Sequence, residues 1–253
     1  MGRIISISNQ KGGVGKTTTT VNVAAFIAEK RKRVLIIDID PQANAGYGIG
    51  IHAGDKEPTI YDVLIGRISI KAAVTRTAIN DLYIVPSNIH LSGAQVDLLE
   101  LDDKEFILRN VIKDIKNEFD YIFIDCPPSL GILTLNSLAA ADSVLIPLQC
   151  EYYALEGLSQ LLQIIAMVQE HINRALSIEG VVLTMYDSRT NLSQQVVADV
   201  RKYFSHKVFK TIIPRNVRLS EAPSFGKPIG LFDRASIGSI MYEKLAEEVM
   251  KNV

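Results

Sequence analysis

Tryptophan is absent from the 253 residues, and cysteine occurs only twice, at Cys126 and Cys150. Two thiols cannot build the disulfide framework of a small secreted domain, and they suit a reducing cytosol. No apolar run approaches the ~20 residues that a membrane span needs. The N-terminus lacks a charged stretch leading into a long apolar one, so no secretory leader is expected. An excess of either charge is also missing: 27 Lys and Arg stand against 28 Asp and Glu, a net charge of −1. That balance excludes a whole-molecule electrostatic nucleic-acid binder, and any such surface must be local. Low-complexity segments and fixed-period repeats are lacking too. What is present is apolar content, 47% of residues. It suffices for one large core, and a single domain over residues 1–253 is the expected organisation.

The most informative stretch is Gln10-Lys11-Gly12-Gly13-Val14-Gly15-Lys16-Thr17-Thr18. It lies between an apolar run, Ile4 to Ser8, that reads as a buried strand and a segment, Val21 to Glu29, that reads as a helix. Strand, glycine-rich turn, Lys-Thr and helix make a phosphate-binding loop. Glycines let backbone N–H groups close around an anion. The helix N-terminus adds partial positive charge. Lys16 is placed to reach β- and γ-phosphates, and the Thr17 hydroxyl to ligate Mg²⁺. One departure stands out: the general spacing puts a glycine at position 10, where this chain has Gln10, and a second lysine, Lys11, stands beside Gly12. Lys16 already serves the phosphates, so Lys11 is either a solvated loop lysine or a charge that reaches phosphates across a dimer interface.

Along the chain, strands and helices alternate. Strands are expected at Val34 to Asp38, Leu82 to Val85, Tyr121 to Asp125, Ser143 to Leu148, Ile178 to Met185 and Val208 to Ile213. Apolar spacing predicts helices over Thr59 to Ile65, Phe106 to Phe119, Tyr153 to Ile172 and Ser236 to Asn252. Asp40 to Pro58, rich in glycine and alanine, reads as loop. The cluster Lys30-Arg31-Lys32-Arg33 reads as the basic end of a helix rather than a binding patch. The pattern predicts an α/β fold: a mostly parallel twisted sheet with helices on both faces. Ligands in such sheets sit beyond the carboxyl ends of the strands. Three strands end there in polar residues: Ser8-Asn9, Asp38-Ile39-Asp40 and Asp125.

Asp125 follows four large apolar residues, as a Walker B acid does, and would hold Mg²⁺ with Thr17, directly or through water. An aspartate that ends a strand at a turn is ordinary by itself; beside a phosphate loop it becomes a site residue. Asp38 and Asp40 stand two apart, which on a continuing strand means one side, where they would repel unless a cation or water lies between. Asp40 is the candidate for orienting the attacking water, with Asp38 in support.

These residues carry a family resemblance that runs over nearly the whole chain. It rests on the loop from Asn9 to Thr18, on Ile37-Asp38-Ile39-Asp40-Pro41-Gln42, Thr59-Ile60-Tyr61-Asp62-Val63-Leu64, Pro86-Ser87-Asn88, Ile124 to Gly131, and Ile213-Pro214-Arg215-Asn216-Val217. With these, the chain resembles the ParA/Soj partitioning ATPases of the ParA/MinD group, P-loop NTPases with a deviant Walker A loop. The resemblance implies ATP and Mg²⁺ as cofactors and an ATP-sandwich homodimer in which Lys11 contacts nucleotide across the interface and the two Gly12 residues come close. It further implies that Asp40 is required for hydrolysis, that Pro214 and Asn216 line the adenine pocket, and that Arg189 and Arg218 contact DNA non-specifically. Ala43 and Gly46 depart from the glycine and Ser/Thr that the family pattern has after Pro-Gln.

The subtype follows from what surrounds these motifs. The loop begins within ten residues of Met1, which leaves no room for the helix-turn-helix extension of larger plasmid ParA proteins. The last helix mixes Glu243, Glu247 and Glu248 with Lys244 and Lys251, unlike a basic membrane-binding helix. Its Ile237, Ile240, Met241, Leu245 and Val249 read as a core-facing side, and no membrane attachment is expected. From Asp199 to Pro228, seven basic residues stand against two acidic ones, a net +5 that leaves −6 for the remainder. That local excess suits sequence-independent phosphate contact. The expected function is therefore a cytoplasmic, nucleoid-associated ATPase that binds DNA as an ATP dimer and is released on hydrolysis stimulated by a ParB-like centromere-binding protein, for a chromosome or a plasmid. The alternatives are a MinD-like ATPase that positions a division or other protein complex, and a cluster-bearing reductase, since the nitrogenase iron protein shares this loop. The cysteines read as small buried thiols rather than cluster ligands.

Overall fold

The computed structural model describes residues 2–204 and 207–252. Strand β1 (Arg3–Ile7) runs into the glycine-rich loop and α1 (Lys16–Glu29), followed by β2 (Val34–Asp38). Short helices α2 (Asn44–Gly48), α3 (Ile60–Leu64) and α4 (Ile70–Ala73) lead to β3 (Thr75–Arg76) and β4 (Leu82–Val85). Helices α5 (Leu91–Asp97) and α6 (Ile107–Ile112) precede β5 (Tyr121–Asp125), and α7 (Ile132–Ala140) precedes β6 (Ser143–Gln149). Then come α8 (Ala154–His171), β7 (Ser177–Tyr186), α9 (Asn191–Phe204) and β8 (Val208–Pro214). Helices α10 (Val217–Glu221), α11 (Ile229–Phe232) and α12 (Ile237–Lys251) close the chain.

The strands form one sheet in the order β3-β4-β2-β5-β1-β6-β7-β8, parallel throughout except for the β3–β4 edge pair. Strand alternation sorts the apolar residues between two cores. Leu35, Ile37, Ile122 and Ile124 pack with α3, α5, α7 and α8, through side chains such as Ile60, Leu91, Leu133 and Leu161. Val34, Ile36, Tyr121 and Phe123 pack on the other face with Phe26 and Ile27 of α1 and Tyr242 and Leu245 of α12. Helices thus cover both faces, and the central strands β2 and β5, apolar up to their closing aspartates, are buried at every position, as parallel strands are. Register brings the site together: Asp125 lies level with Ile7 of β1 and with Asp38 of β2.

Four local expectations need correction. The segment from Phe106 to Phe119 is not one helix: α6 is flanked by 3-10 turns at Lys104–Phe106 and Lys116–Glu118. Leu108, Ile112, Ile115 and Phe119 still point into the core. Their three- and four-residue spacing survives the tighter turns, so the pattern alone cannot tell the two backbones apart. The glycine- and alanine-rich stretch after Asp40 contains α2. Helices α7 and α9 stand where no helix is expected from the sequence: α7 is buried nearly all round, which erases an amphipathic period, whereas α9 does carry one, with Val196 and Val200 buried four residues apart. In α12, Ile237 and Ile240 do not face the core but are 44% and 40% exposed. A Cβ on Gly238 would come within 2.8 Å of Leu219 Cγ, so this close approach turns the stripe Tyr242, Leu245, Ala246 and Val249 inward instead. The basic cluster behaves as a helix end. Lys30 Nζ lies 3.5 Å from Glu243 Oε1, and the Arg33 guanidinium stacks over Tyr83 and Phe119.

Candidate active site

The loop joins β1 to α1 through two residues in left-handed backbone, Gly13 (φ 72°) and Gly15 (φ 90°). Only glycine enters that region without a steric cost, which explains why the two stand there. No side chain caps α1, so the amides of its first turn stay available to an anion. The loop is pinned from outside. Lys11 N donates to Asn9 Oδ1 at 3.0 Å, Asn9 Nδ2 to Pro147 O at 2.7 Å, and Thr184 Oγ1 to Val14 O at 2.8 Å. Lys16 folds back over the loop, its Nζ 3.1 Å from Lys11 O. Burial pulls its ammonium pKa down, and the nearby Asp125 carboxylate opposes that shift.

A cavity of about 350 Å³ lies over this loop, lined by Gly12, Gly13, Gly15, Lys16, Thr17, Thr18 and Asp40. Asp125, fully buried, accepts from Thr17 Oγ1 at 2.7 Å and from Thr20 Oγ1 at 2.8 Å. Desolvation pushes its carboxyl up to about 6, and the two hydroxyl donors hold it back. Asp38 is also fully buried and pushed up, first by desolvation and then by Asp125. The strand ends at Asp38, so strand alternation no longer decides where Asp40 points. Asp38 Oδ1 instead accepts from Asp40 N at 3.0 Å, and Oδ2 from Ala45 N at 3.1 Å. It ties the turn that aims Asp40 into the cavity. Asp40 Oδ1 caps Gln42 N at 3.0 Å, and among the described residues its Oδ2 has no hydrogen-bond partner.

A second cavity, about 260 Å³, shares Gly15, Thr18 and Met185 with the first and continues past Pro214 and Asn216. Asn216 Oδ1 caps α10 by accepting from Leu219 N at 3.3 Å. Lys11 lines neither cavity: its Nζ turns outward to Glu151 Oε2, 3.1 Å away, beside the exposed Gly12. A larger hollow of about 670 Å³ lies between β8 and α12, where none of the loop residues reach.

The basic residues lie elsewhere. Arg189 pairs with Asp187 at 2.7 Å. Arg218 pairs with Glu221 at 2.7 Å and Asp233 at 2.8 Å and stacks on Phe232. Among the described residues, Lys202, Lys210, Arg215 and Lys227 are exposed and have no acidic partner within ion-pair distance. Both cysteines are buried, and burial pushes the Cys150 thiol up to about 12. Cys126 sits in a hydroxyl cluster with Ser6, Ser8 and Ser137 beneath the loop.

The family model described as an AAA domain matches residues 2–178. The Bacillus subtilis sporulation initiation inhibitor protein Soj is 55% identical over 252 residues, covering all of both chains. The chromosome-partitioning ATPase Soj of Treponema pallidum is 51% identical, over 99% of this chain and 98% of its own. The chain belongs to the Soj/ParA family of chromosome-partitioning ATPases. Solved relatives agree on the fold. A protein from Mycobacterium smegmatis described as cobyrinic acid a,c-diamide synthase, solved with an ATP analogue and magnesium, superposes with a TM-score of 0.86 at 37% identity, over 99% and 95% of the two chains. The cell-division ATPase MinD of Pyrococcus furiosus gives 0.82 at 29% identity, with both chains fully covered.

Within this ATPase family fold, one contributor, Thr20, escaped the motif reading, and the way in which Asp38 supports Asp40 was not legible there either. Thr20 bonds Asp125 from one turn beyond Thr17. Three residues apart on a helix is one face, so that spacing carried the signal. Asp38 acts as a turn tie rather than as a second acid beside the phosphate, and nothing short of the backbone path distinguishes the two.

Proposed function

We propose that this ATPase is a DNA-partitioning switch whose ATP-bound form is a sandwich dimer. The supporting observation is the division of labour between two lysines. Lys16 covers the chain's own phosphate cavity, while Lys11, on the same loop, points away from it at the surface. A charge held there suits the phosphates of a second copy, acting as an arginine finger does.

ATP would lie with its phosphates over Gly12 to Thr18 and its base by Pro214 and Asn216. The donor set fits Mg²⁺. One hydroxyl and one carboxylate converge at Thr17 and Asp125, and no cluster of three or more His, Cys, Asp or Glu among the described residues could cage a metal. Magnesium prefers such a site, because it keeps waters and substrate phosphates as its other ligands. Bound there, it would neutralise charge on the phosphates. Asp40 would orient the attacking water with its uncommitted oxygen.

The closed dimer would bind DNA through its local basic surface, with Lys202, Lys210, Arg215 and Lys227 joining Arg189 and Arg218. The last two are held in ion pairs that DNA phosphates must compete with. A ParB-like protein would trigger hydrolysis and release, and the molecule would work in the cytoplasm, associated with the nucleoid. No helix among the described residues is long and apolar enough to cross a membrane.

Co-sedimentation tests this reading. With ATP the protein should pellet with random-sequence DNA at low salt, and with ADP it should not; Arg218→Glu should weaken the ATP-dependent fraction. Pelleting with anionic liposomes but not DNA would overturn it in favour of the MinD-like alternative.

A further inference from the structure

Thr20 is a buried threonine in the interior of α1, and its hydroxyl has one proton and two acceptors in reach. Lys16 O, the carbonyl one turn back, lies at 3.1 Å, and Asp125 Oδ1 at 2.8 Å. A mid-helix threonine ordinarily bonds that backbone carbonyl. Here the shorter contact and the charged acceptor favour Asp125. Neither side chain has any solvent exposure, at 0% each, so no water stands in for a missing partner. The two threonines therefore divide the carboxylate: Thr20 fixes Oδ1, and Thr17 meets Oδ2 at 2.7 Å.

We propose that Thr20 is the positioning residue of the magnesium site: it holds Asp125 so that Oδ2 faces the cation beside Thr17. The proposal rests on the reading that Thr17 and Asp125 hold Mg²⁺. Outer partners of this kind orient a metal's ligands, and losing one costs about 10–100-fold in metal affinity. Thr20 itself touches neither metal nor nucleotide. Packing alone predicts something different. Valine fills nearly the same space, so a purely structural Thr20 would tolerate it, or lose stability without regard to metal. The adjacent Thr19 provides the comparison: its hydroxyl is directed away from Asp125 to α12, 3.2 Å from Tyr242 Oη.

The test is binding of a fluorescent ATP analogue in EDTA and across a magnesium titration, for wild type, Thr20→Val, Thr20→Ser and Thr19→Val, with thermal melting of each. Thr20→Val is expected to bind within about twofold of wild type in EDTA but to need roughly tenfold more Mg²⁺ for half-maximal enhancement. Thr20→Ser should restore the wild-type curve, and Thr19→Val should lower the melting temperature without moving it. Coincident magnesium curves for Thr20→Val and wild type would overturn the assignment, as would an equal loss in EDTA or an equal shift in Thr19→Val. If Thr20→Val does not fold, a Thr20→Ser curve shifted as far as tenfold would also overturn it. Wild type whose binding ignores Mg²⁺ would remove the metal reading itself, and with it this role.

Discussion

Lys11 Nζ lies 3.1 Å from Glu151 Oε2, with side chains 41% and 46% exposed, and it turns its charge away from the phosphate cavity of its own chain. An exposed pair of this kind contributes about 0–1 kcal/mol, so Lys11 is not held there for stability. Lys11→Ala should melt within a few degrees of wild type and bind ATP within about threefold, yet lose turnover by on the order of 10³-fold, as loss of a finger residue does. Lys16→Ala should instead lose nucleotide binding. The readouts are melting, equilibrium binding of ATP, and hydrolysis measured over a range of protein concentration. Wild-type turnover in Lys11→Ala would refute a role in trans.

Asp40 caps Gln42 N with one oxygen and, in the proposed function, would orient the attacking water with the other, and substitutions can separate the two. Asn keeps the oxygen that caps Gln42 N, whereas Ala removes both the cap and the charge. Both variants should bind ATP and hydrolyse it roughly 10²–10⁴-fold more slowly, the usual worth of a group that handles a reacting water. Asp40→Asn should melt closer to wild type than Asp40→Ala. Single-turnover hydrolysis decides the matter, and normal rates in Asp40→Asn would move the water-orienting role elsewhere.

Ala43 occupies a left-handed backbone position, φ 54°, in the turn between Asp40 and α2. The sequence resemblance predicts glycine here, and the backbone takes a conformation that glycine favours although the residue is alanine. Left-handed backbone costs a non-glycine residue about 1–2 kcal/mol, while glycine's greater freedom in the unfolded chain takes back about 0.4–1 kcal/mol. Ala43→Gly should therefore stabilise the protein by about 0.5–1 kcal/mol, a rise of roughly 1–4 °C in a thermal melt. An unchanged or lower melting temperature would show that Ala43 is unstrained.

These particular residues also mark how far the sequence was legible. The phosphate loop, Asp125 and the strand ends could be read because parallel strands are apolar runs closed by polar residues, and because Lys-Thr after glycines has one geometric use. The order of strands that sets Asp38 beside Asp125 could not be read, since pairing is between segments distant in the chain. Nor could the break of the Phe106 to Phe119 segment, where both backbones satisfy the same spacing. The partners of Arg189 and Arg218 were hidden for the same reason: charge counts do not say which cations already face Asp187 or Asp233.

Asp125 also leaves a pH signature. Its folded pKa, about 6, is raised above the ordinary 3.8 by burial. Folding then favours the protonated acid, so its contribution to stability is complete below about pH 4 and is lost as pH rises through 6. Asp38, pushed the same way, adds the same sign. Nucleotide-free and metal-free wild type should lose stability over that window, on the order of 1–3 kcal/mol from Asp125. Asp125→Asn should melt higher than wild type at pH 7.5, with the gain shrinking toward pH 4. Denaturant melts in EDTA across pH 4–8 measure this; a gain that does not vary with pH would contradict it.

Gly12 and Gly13 are neighbours with opposite requirements. A Cβ on Gly12 meets only Pro128 Cβ, at an ordinary 3.8 Å, and its backbone lies outside the left-handed region. Gly13, at φ 72°, has open space but a conformation that side chains resist. Gly12→Val should therefore fold, bind ATP within a few-fold, and add bulk only outside the chain, where a second copy would approach. Gly13→Val should distort the loop and lose ATP binding in the isolated subunit. Light scattering after gel filtration with ATP separates the cases. Gly12→Val should stay monomeric where wild type dimerises, and with the dimer it should lose ATP-dependent DNA binding. A Gly12→Val protein that forms tight ATP dimers would show that the two loops do not meet at this residue, and Lys11 would then need another explanation for facing outward.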